Sequence, residues 1–321
     1  MCFCAFLAAV GHALRLVPGL DLFGPMILAI VLAILVRALF GLPAFLVAGA
    51  AFAARPLLRA AVILLGLQLT FADLAALGPG GLAVIAGSLA ATFALTLWLG
   101  RLFGVERGLA ELIAAGTSVC GASAVAAANS ATRAGEADVA YAIACVTLFG
   151  TLAMLAYPLV PALAGLDAAG YGLFVGASVH EVAQVAGAGF QHSAAAGEAA
   201  MVAKLSRVLL LAPVVFVLAA LARRRARADG QGQGDCTVPV PWFVLGFLAM
   251  AGLASIIDIP GPVTGGAAAA TTTLLTLALA AMGLQTDLGA LKARGTRPLL
   301  LAAAASLFIC LLSLLLVSVT A

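Results

Sequence analysis

Charge is scarce in this chain: among 321 residues only 16 are lysine or arginine and 13 are aspartate or glutamate. A water-soluble surface needs a far larger charged share, so a conventional soluble domain is excluded. Net basic charge is small too. With a formal charge of +3 and its arginines in short loops, the chain offers nucleic acid no footprint. No glycine-rich loop ends in Lys-Ser or Lys-Thr, so ATP-driven transport within this chain has no support. The cysteines Cys2, Cys4, Cys120, Cys145, Cys236 and Cys310 are scattered, with neither metal-ligand spacing nor a disulfide framework. His180-Glu181 is not followed by the second histidine of a zinc-protease helix, because Gln184 stands there. No metal and no cofactor is called for, beyond H+ or Na+ as a coupling ion. The N-terminal run Cys2 to Leu14 lacks the basic flank of a removable leader and reads as a short first helix.

What is abundant is apolar. Hydrophobic residues make up 64% of the chain and the mean hydropathy is +1.21. Its runs repeatedly exceed the roughly 20 residues that cross a bilayer. The fold expected is an all-α polytopic membrane protein, one transporter domain over 1–321, lying in a lipid bilayer and open to homo-oligomer formation. Apolar runs and punctuation place membrane segments at 22–40, 56–71, 80–101, 107–131, 136–161, 170–190, 198–222, 240–258, 264–286 and 297–319, with 3–17 as an eleventh. Pro56 suits the first turn of its segment.

Basic residues orient the segments, since cytoplasmic loops retain Lys and Arg. Arg37, Arg55 and Arg59 flank one loop and Arg101 and Arg107 another. Arg223 to Arg227 mark a third, and Lys292, Arg294 and Arg297 a fourth. All four fall on one side when segments are counted through, whereas Arg133 falls on the other. The stretch 223–238, rich in Arg, Gly and Gln, reads as a flexible cytoplasmic linker.

Two internal offsets stand out. Gly66-Leu67-Gln68 recurs 217 residues later as Gly283-Leu284-Gln285, in the opposite orientation that an inverted repeat requires. The motif Gly116-Thr117-Ser118-Val119-Cys120-Gly121 aligns 60 residues on with Gly176-Ala177-Ser178-Val179-His180-Glu181. The segment count makes these two parallel, which sits badly with inversion. Each copy interrupts an apolar stretch with small and polar residues, the mark of a discontinuous helix. Backbone that leaves helical geometry in hydrocarbon needs partners from protein, ligand or water, so such breaks mark binding sites.

The candidate site gathers around these breaks. Ser118, Cys120, Ser123 and Ser178 offer small polar groups, although serine also serves ordinary helix packing. His180, Glu181 and Gln184 lie mid-segment, where ionisable groups are costly; they read as the coupling group, or as a polar lock between helices. Lys204 and Arg207, three residues apart, present two cations on one helix face, suited to an oxyanion, with Glu181 as internal counter-charge. Snorkelling to the interface is their alternative reading. An intramembrane serine hydrolase would use Ser118 or Ser178 with His180, and an anion channel would show flux without coupling to a gradient.

At Gly116 to Ala124, His180-Glu181-Val182-Ala183-Gln184-Val185, Lys204-Leu205-Ser206-Arg207 and Met282-Gly283-Leu284-Gln285-Thr286-Asp287, the chain resembles the sulfate exporter family of bacterial inner-membrane proteins. The resemblance runs from about residue 20 to the C-terminus. It implies a multi-pass secondary transporter of the inner membrane whose substrate is a small anion, sulfate or an organosulfonate. It also implies a distant similarity to bile acid:sodium symporter-like transporters, with inverted repeats and crossing discontinuous helices. Glu181 and Gln184 are similar to the Glu and Gln of a broken helix there. His180, and the lack of the Asn that often follows that Gln, are departures.

Overall fold

The computed structural model describes residues 1–17, 23–228, 242–257, 259–286, 289 and 295–320, and every regular element among them is helical. Six helices are long and apolar enough to cross a membrane: α3 (Ala44–Gln68), α4 (Gly78–Leu102), α7 (Glu136–Leu159), α10 (Ala194–Ala222), α12 (Gly261–Gln285) and α13 (Thr296–Thr320). Three apolar helices are shorter: α1 (Cys2–Leu14), α2 (Pro25–Phe40) and α11 (Trp242–Ile256). The chain is therefore an all-α polytopic membrane protein. Residues 3–17, left open by the sequence, form a helix only as far as Leu14.

Proline explains one displaced boundary. The segment expected at 56–71 begins at Ala44, and Pro56 lies inside it within a wide π-type turn, Ala53–Leu57. Proline lacks the N–H that an α-turn needs, and widening the turn accommodates its ring without ending the helix. Arg55 and Arg59 are consequently helical residues and do not flank a loop. A second boundary moves at α10, whose helix continues to Ala228. Alanine and arginine are strong helix formers, which carries the helix into the expected linker. The rest of that linker, 229–238, lies outside the described residues.

The two motif segments are discontinuous, but neither crosses from end to end. The first comprises α5 (Arg107–Ala115), a π-type turn at Gly116–Cys120, and α6 (Ala122–Thr132). A β-carbon on Gly108 would lie 3.2 Å from that of Ala134, so the outer ends of α5 and α6 are neighbours. The second comprises α8 (Ala168–Ser178) and α9 (Val182–His192). Tyr171 near its start donates to Ala188 O at 3.2 Å and packs its ring 4.8 Å from that of His192 at its end. Both segments double back as hairpins. Arms of 9 and 11 residues reach about 14–16 Å, half a bilayer core.

Helix α7 joins the hairpins. It starts beside the first one's mouth, where Asp138 lines a 360 Å³ cleft with Gly104, Glu106, Gly295 and Arg297. Its Tyr141 donates to Gly295 O at 3.0 Å in the same region. At its other end it feeds the second hairpin, so the mouths open at opposite ends of a helix about 36 Å long. Arg133 thus lies at the same end as Arg107 and Arg297, contrary to the side assigned from the segment count. The count failed because a hairpin returns the chain to the side it left.

Candidate functional site

The hairpin tips meet tip to tip. At the first, the chain leaves the π-type turn through Gly121, whose φ of +71° lies in the region that glycine alone enters without strain. That missing side chain also makes room, because a β-carbon there would lie 2.3 Å from Cγ of Glu181. At the second, α8 ends at Ser178, and Val179 and Glu181 are extended. Four half-helix ends therefore converge: the C-terminal ends of α5 and α8, which carry partial negative charge, and the N-terminal ends of α6 and α9, which carry partial positive charge.

Lys204 and Arg207 serve the negative ends. Lys204 Nζ donates to Val119 O and to Val179 O, both at 2.8 Å. Arg207 donates through Nη2 to Thr117 O and through Nη1 to Ala177 O at 2.8 Å, and through Nε to Ser118 O at 2.5 Å. Val119 and Val179, and likewise Thr117 and Ala177, are pairs related by the 60-residue offset. Both side chains are fully buried, so they do not snorkel. Their hydrogen-bond partners are carbonyls, and the Glu181 carboxylate expected as counter-charge acts on Lys204 across the site without a hydrogen bond to it. Helix α10 comes this close because Gly176 packs directly on it: a β-carbon there would lie 2.5 Å from Ala200 O.

Glu181 serves the positive ends. Its carboxylate caps α9 in a reciprocal box with Gln184, and Oε1 accepts from Ala122 N at 3.4 Å and from Thr147 Oγ1 at 3.3 Å. One carboxylate thus lies at the N-termini of two half-helices. Gln184 returns its Oε1 to Glu181 N at 3.1 Å and donates to Thr147 O at 3.1 Å and Thr151 Oγ1 at 3.2 Å, which locks the second tip to α7. Thr147 and Thr151 were missed in the sequence; their only signal was i, i+4 polarity in an apolar helix.

The other candidates separate by role. Ser178 Oγ donates to Phe174 O at 2.6 Å, and His180 Nε2 pairs with Ser306 Oγ of α13 at 3.0 Å, so no Ser178–His180 couple is assembled. Ser306, too, was missed. Cys120 Sγ lies 2.9 Å from Ser123 Oγ. Thr117 Oγ1, Ser118 Oγ and His180 Nδ1 are buried without a hydrogen-bond partner among the described residues. Such groups are costly unless something transient satisfies them. Gln68 donates to Thr271 at 3.3 Å, away from the tips.

Helices that enter from opposite ends and break where they meet define a multi-pass membrane protein of transporter type. Residues 1–302 match the family described as Conserved hypothetical protein 698, and the chain belongs to it. It is 41% identical over 263 residues to a UPF0324 membrane protein of Pseudomonas aeruginosa, covering 80% of this chain and 74% of that one. The UPF0324 inner membrane protein YeiH of Salmonella typhi is 39% identical over 259 residues, covering 80% and 74%. A UPF0324 membrane protein of Bordetella pertussis is 38% identical over 302 residues, covering 92% and 87%. No solved structure matches the chain. The chain is a multi-pass inner-membrane protein, and these names specify location without a substrate.

Proposed function

We propose that the chain is a secondary transporter of a small anion, such as sulfate or an organosulfonate, coupled to H+ or Na+. The observation that carries this reading is the Glu181 carboxylate held at the N-termini of α6 and α9. Paired helix N-termini attract an oxyanion, and here the protein supplies its own. A substrate anion takes the Ala122 N–H when Glu181 gives it up, and Glu181 gives it up by binding a proton or Na+. Occupancy of the tips by substrate is thereby linked to the coupling ion. Lys204 and Arg207 hold the tips together and lend the site a positive field from behind.

Two inverted halves support alternating access in this reading. Helices α2, α3 and α4 begin at 25, 44 and 78, and α11, α12 and α13 at 242, 261 and 296, so the pairs lie 217, 217 and 218 residues apart. The hairpin and following helix come after the triplet in the first half and before it in the second. That order accounts for two different offsets in one chain. Hairpins from opposite ends also remove the parallel orientation that had conflicted with inversion.

The test is flux. In proteoliposomes, the wild-type chain accumulates radiolabelled sulfate or methanesulfonate against its gradient when a pH or Na+ gradient is imposed, and Glu181→Gln exchanges substrate without accumulating it. Passive flux in both proteins, indifferent to either gradient, would favour an anion channel.

A further inference from the structure

The two outgoing arms of the hairpins are not equally covered. Along α9, every residue from Val182 to Gly189 is buried. Along α6, Ser123 and Ala126 are exposed, Asn129 and Ser130 are half-buried, and exposed Arg133 ends the series at the hairpin mouth. Ser123, Ala126, Ser130 and Arg133 follow a spacing of three, four and three, which is one helix face. At its inner end this face meets half-buried Ala122 and Glu181, the donor and acceptor of the contact between the tips.

The chemistry of this face separates water from lipid. Between its polar ends α13 exposes the large apolar side chains Leu300, Leu307, Leu311 and Leu315, as a lipid contact requires. The exposed face of α6 has no large apolar side chain. Its serines donate to nearby backbone carbonyls, Ser130 Oγ to Ala127 O at 2.7 Å and Ser123 Oγ to Cys120 O at 3.1 Å, and Ser123 Oγ also lies 2.9 Å from Cys120 Sγ.

We infer that this face of α6 is one wall of an aqueous path that leads a small oxyanion from the mouth of the first hairpin to Glu181. Along that path side chains of α6 are exposed, whereas along the second hairpin those of α9 are buried. The side it opens to carries Arg107, Arg133 and Arg297, the cytoplasmic side by the distribution of basic residues. Ser123 and Ser130 line the path, Arg133 collects anions at its mouth, and Glu181 closes its inner end. The inference rests on the transport reading for its cargo, while the path is measurable without transport.

The experiment uses the full-length chain in membranes, with its native cysteines replaced and single cysteines returned by Ser123→Cys, Ala126→Cys, Ser130→Cys and Val185→Cys. A membrane-impermeant maleimide applied from the cytoplasmic side modifies the first three, and Val185→Cys stays unmodified from both sides. Sulfate or methanesulfonate slows modification of Ser123→Cys severalfold. Modification of Ala126→Cys by a lipid-soluble maleimide alone would make the face a lipid contact and overturn the path. If the cysteine-free chain does not fold, hydrogen exchange of the wild type in nanodiscs replaces it: peptides of 122–132 exchange at least tenfold faster than those of 182–192, and equal protection overturns the proposal. A labelling pattern as stated, without any flux, would retain the path and reject the transporter.

Discussion

Gly121 combines a left-handed backbone with the closest approach between the two tips, so an added methyl group meets two penalties at once. Gly121→Ala strains a φ of +71° and drives its β-carbon into Glu181, which should cost about 1–3 kcal/mol. A lower unfolding temperature in detergent, together with lost gradient-driven flux, is the expected outcome; unchanged values of both would mean that the tips do not touch. Much of this site was legible in the sequence. Ser118, Cys120, Ser178, His180, Glu181 and Gln184 were all found by small or polar character inside apolar runs, and all lie at the tips. Lys204 and Arg207 were found by the same argument, but the carbonyls that accept their hydrogen bonds were not. Residue type reports that a buried cation needs negative charge, and backbone carbonyls at a helix end supply it as well as a carboxylate does. Ala122 contributes only its N–H, which no residue name advertises.

At the scale of elements, the C-terminal ends of α5 and α8 are fastened to α10 by two side chains, and this fastening fixes where the tips can be. Lys204→Met keeps an unbranched side chain one atom shorter and removes the ammonium that makes both hydrogen bonds, leaving Val119 O and Val179 O short of a partner. With about 1.5–3 kcal/mol for each charge-assisted bond, the loss should be on the order of 3 kcal/mol. Thermal unfolding in detergent measures it. An intact unfolding temperature with weakened sulfate binding would instead return Lys204 to the role of anion ligand. The elements themselves were nearly all visible from hydropathy, because long apolar runs leave few alternatives. Hairpins were not, since 25 apolar residues with a break in the middle read alike whether the second half continues onward or turns back. What decides is the φ at Gly121 and the fit of Gly108 against Ala134, both products of packing.

For the molecule as a whole, the hairpin reading changes which loops share a side. With each motif segment returning to its own side, the loops near Arg101 and Arg107, the turn at Arg133, the end of α10 and the start of α13 all fall on one face of the membrane, consistent with cytoplasmic retention of arginine. The segment count from hydropathy had reached the same side for most of these, because two uncounted reversals cancel beyond the second hairpin. Only the stretch between the hairpins was inverted. That stretch provides the most direct test of the central claim, that the two motif segments are re-entrant hairpins meeting from opposite sides. Single cysteines introduced by Gly104→Cys, Gly135→Cys and Asp167→Cys, labelled in intact cells and in inverted vesicles with an impermeant maleimide, report their sides. The account predicts that positions 104 and 135 label only from the cytoplasm and position 167 only from outside. Labelling of position 135 from outside and of position 167 from the cytoplasm would make both segments membrane-crossing and contradict it.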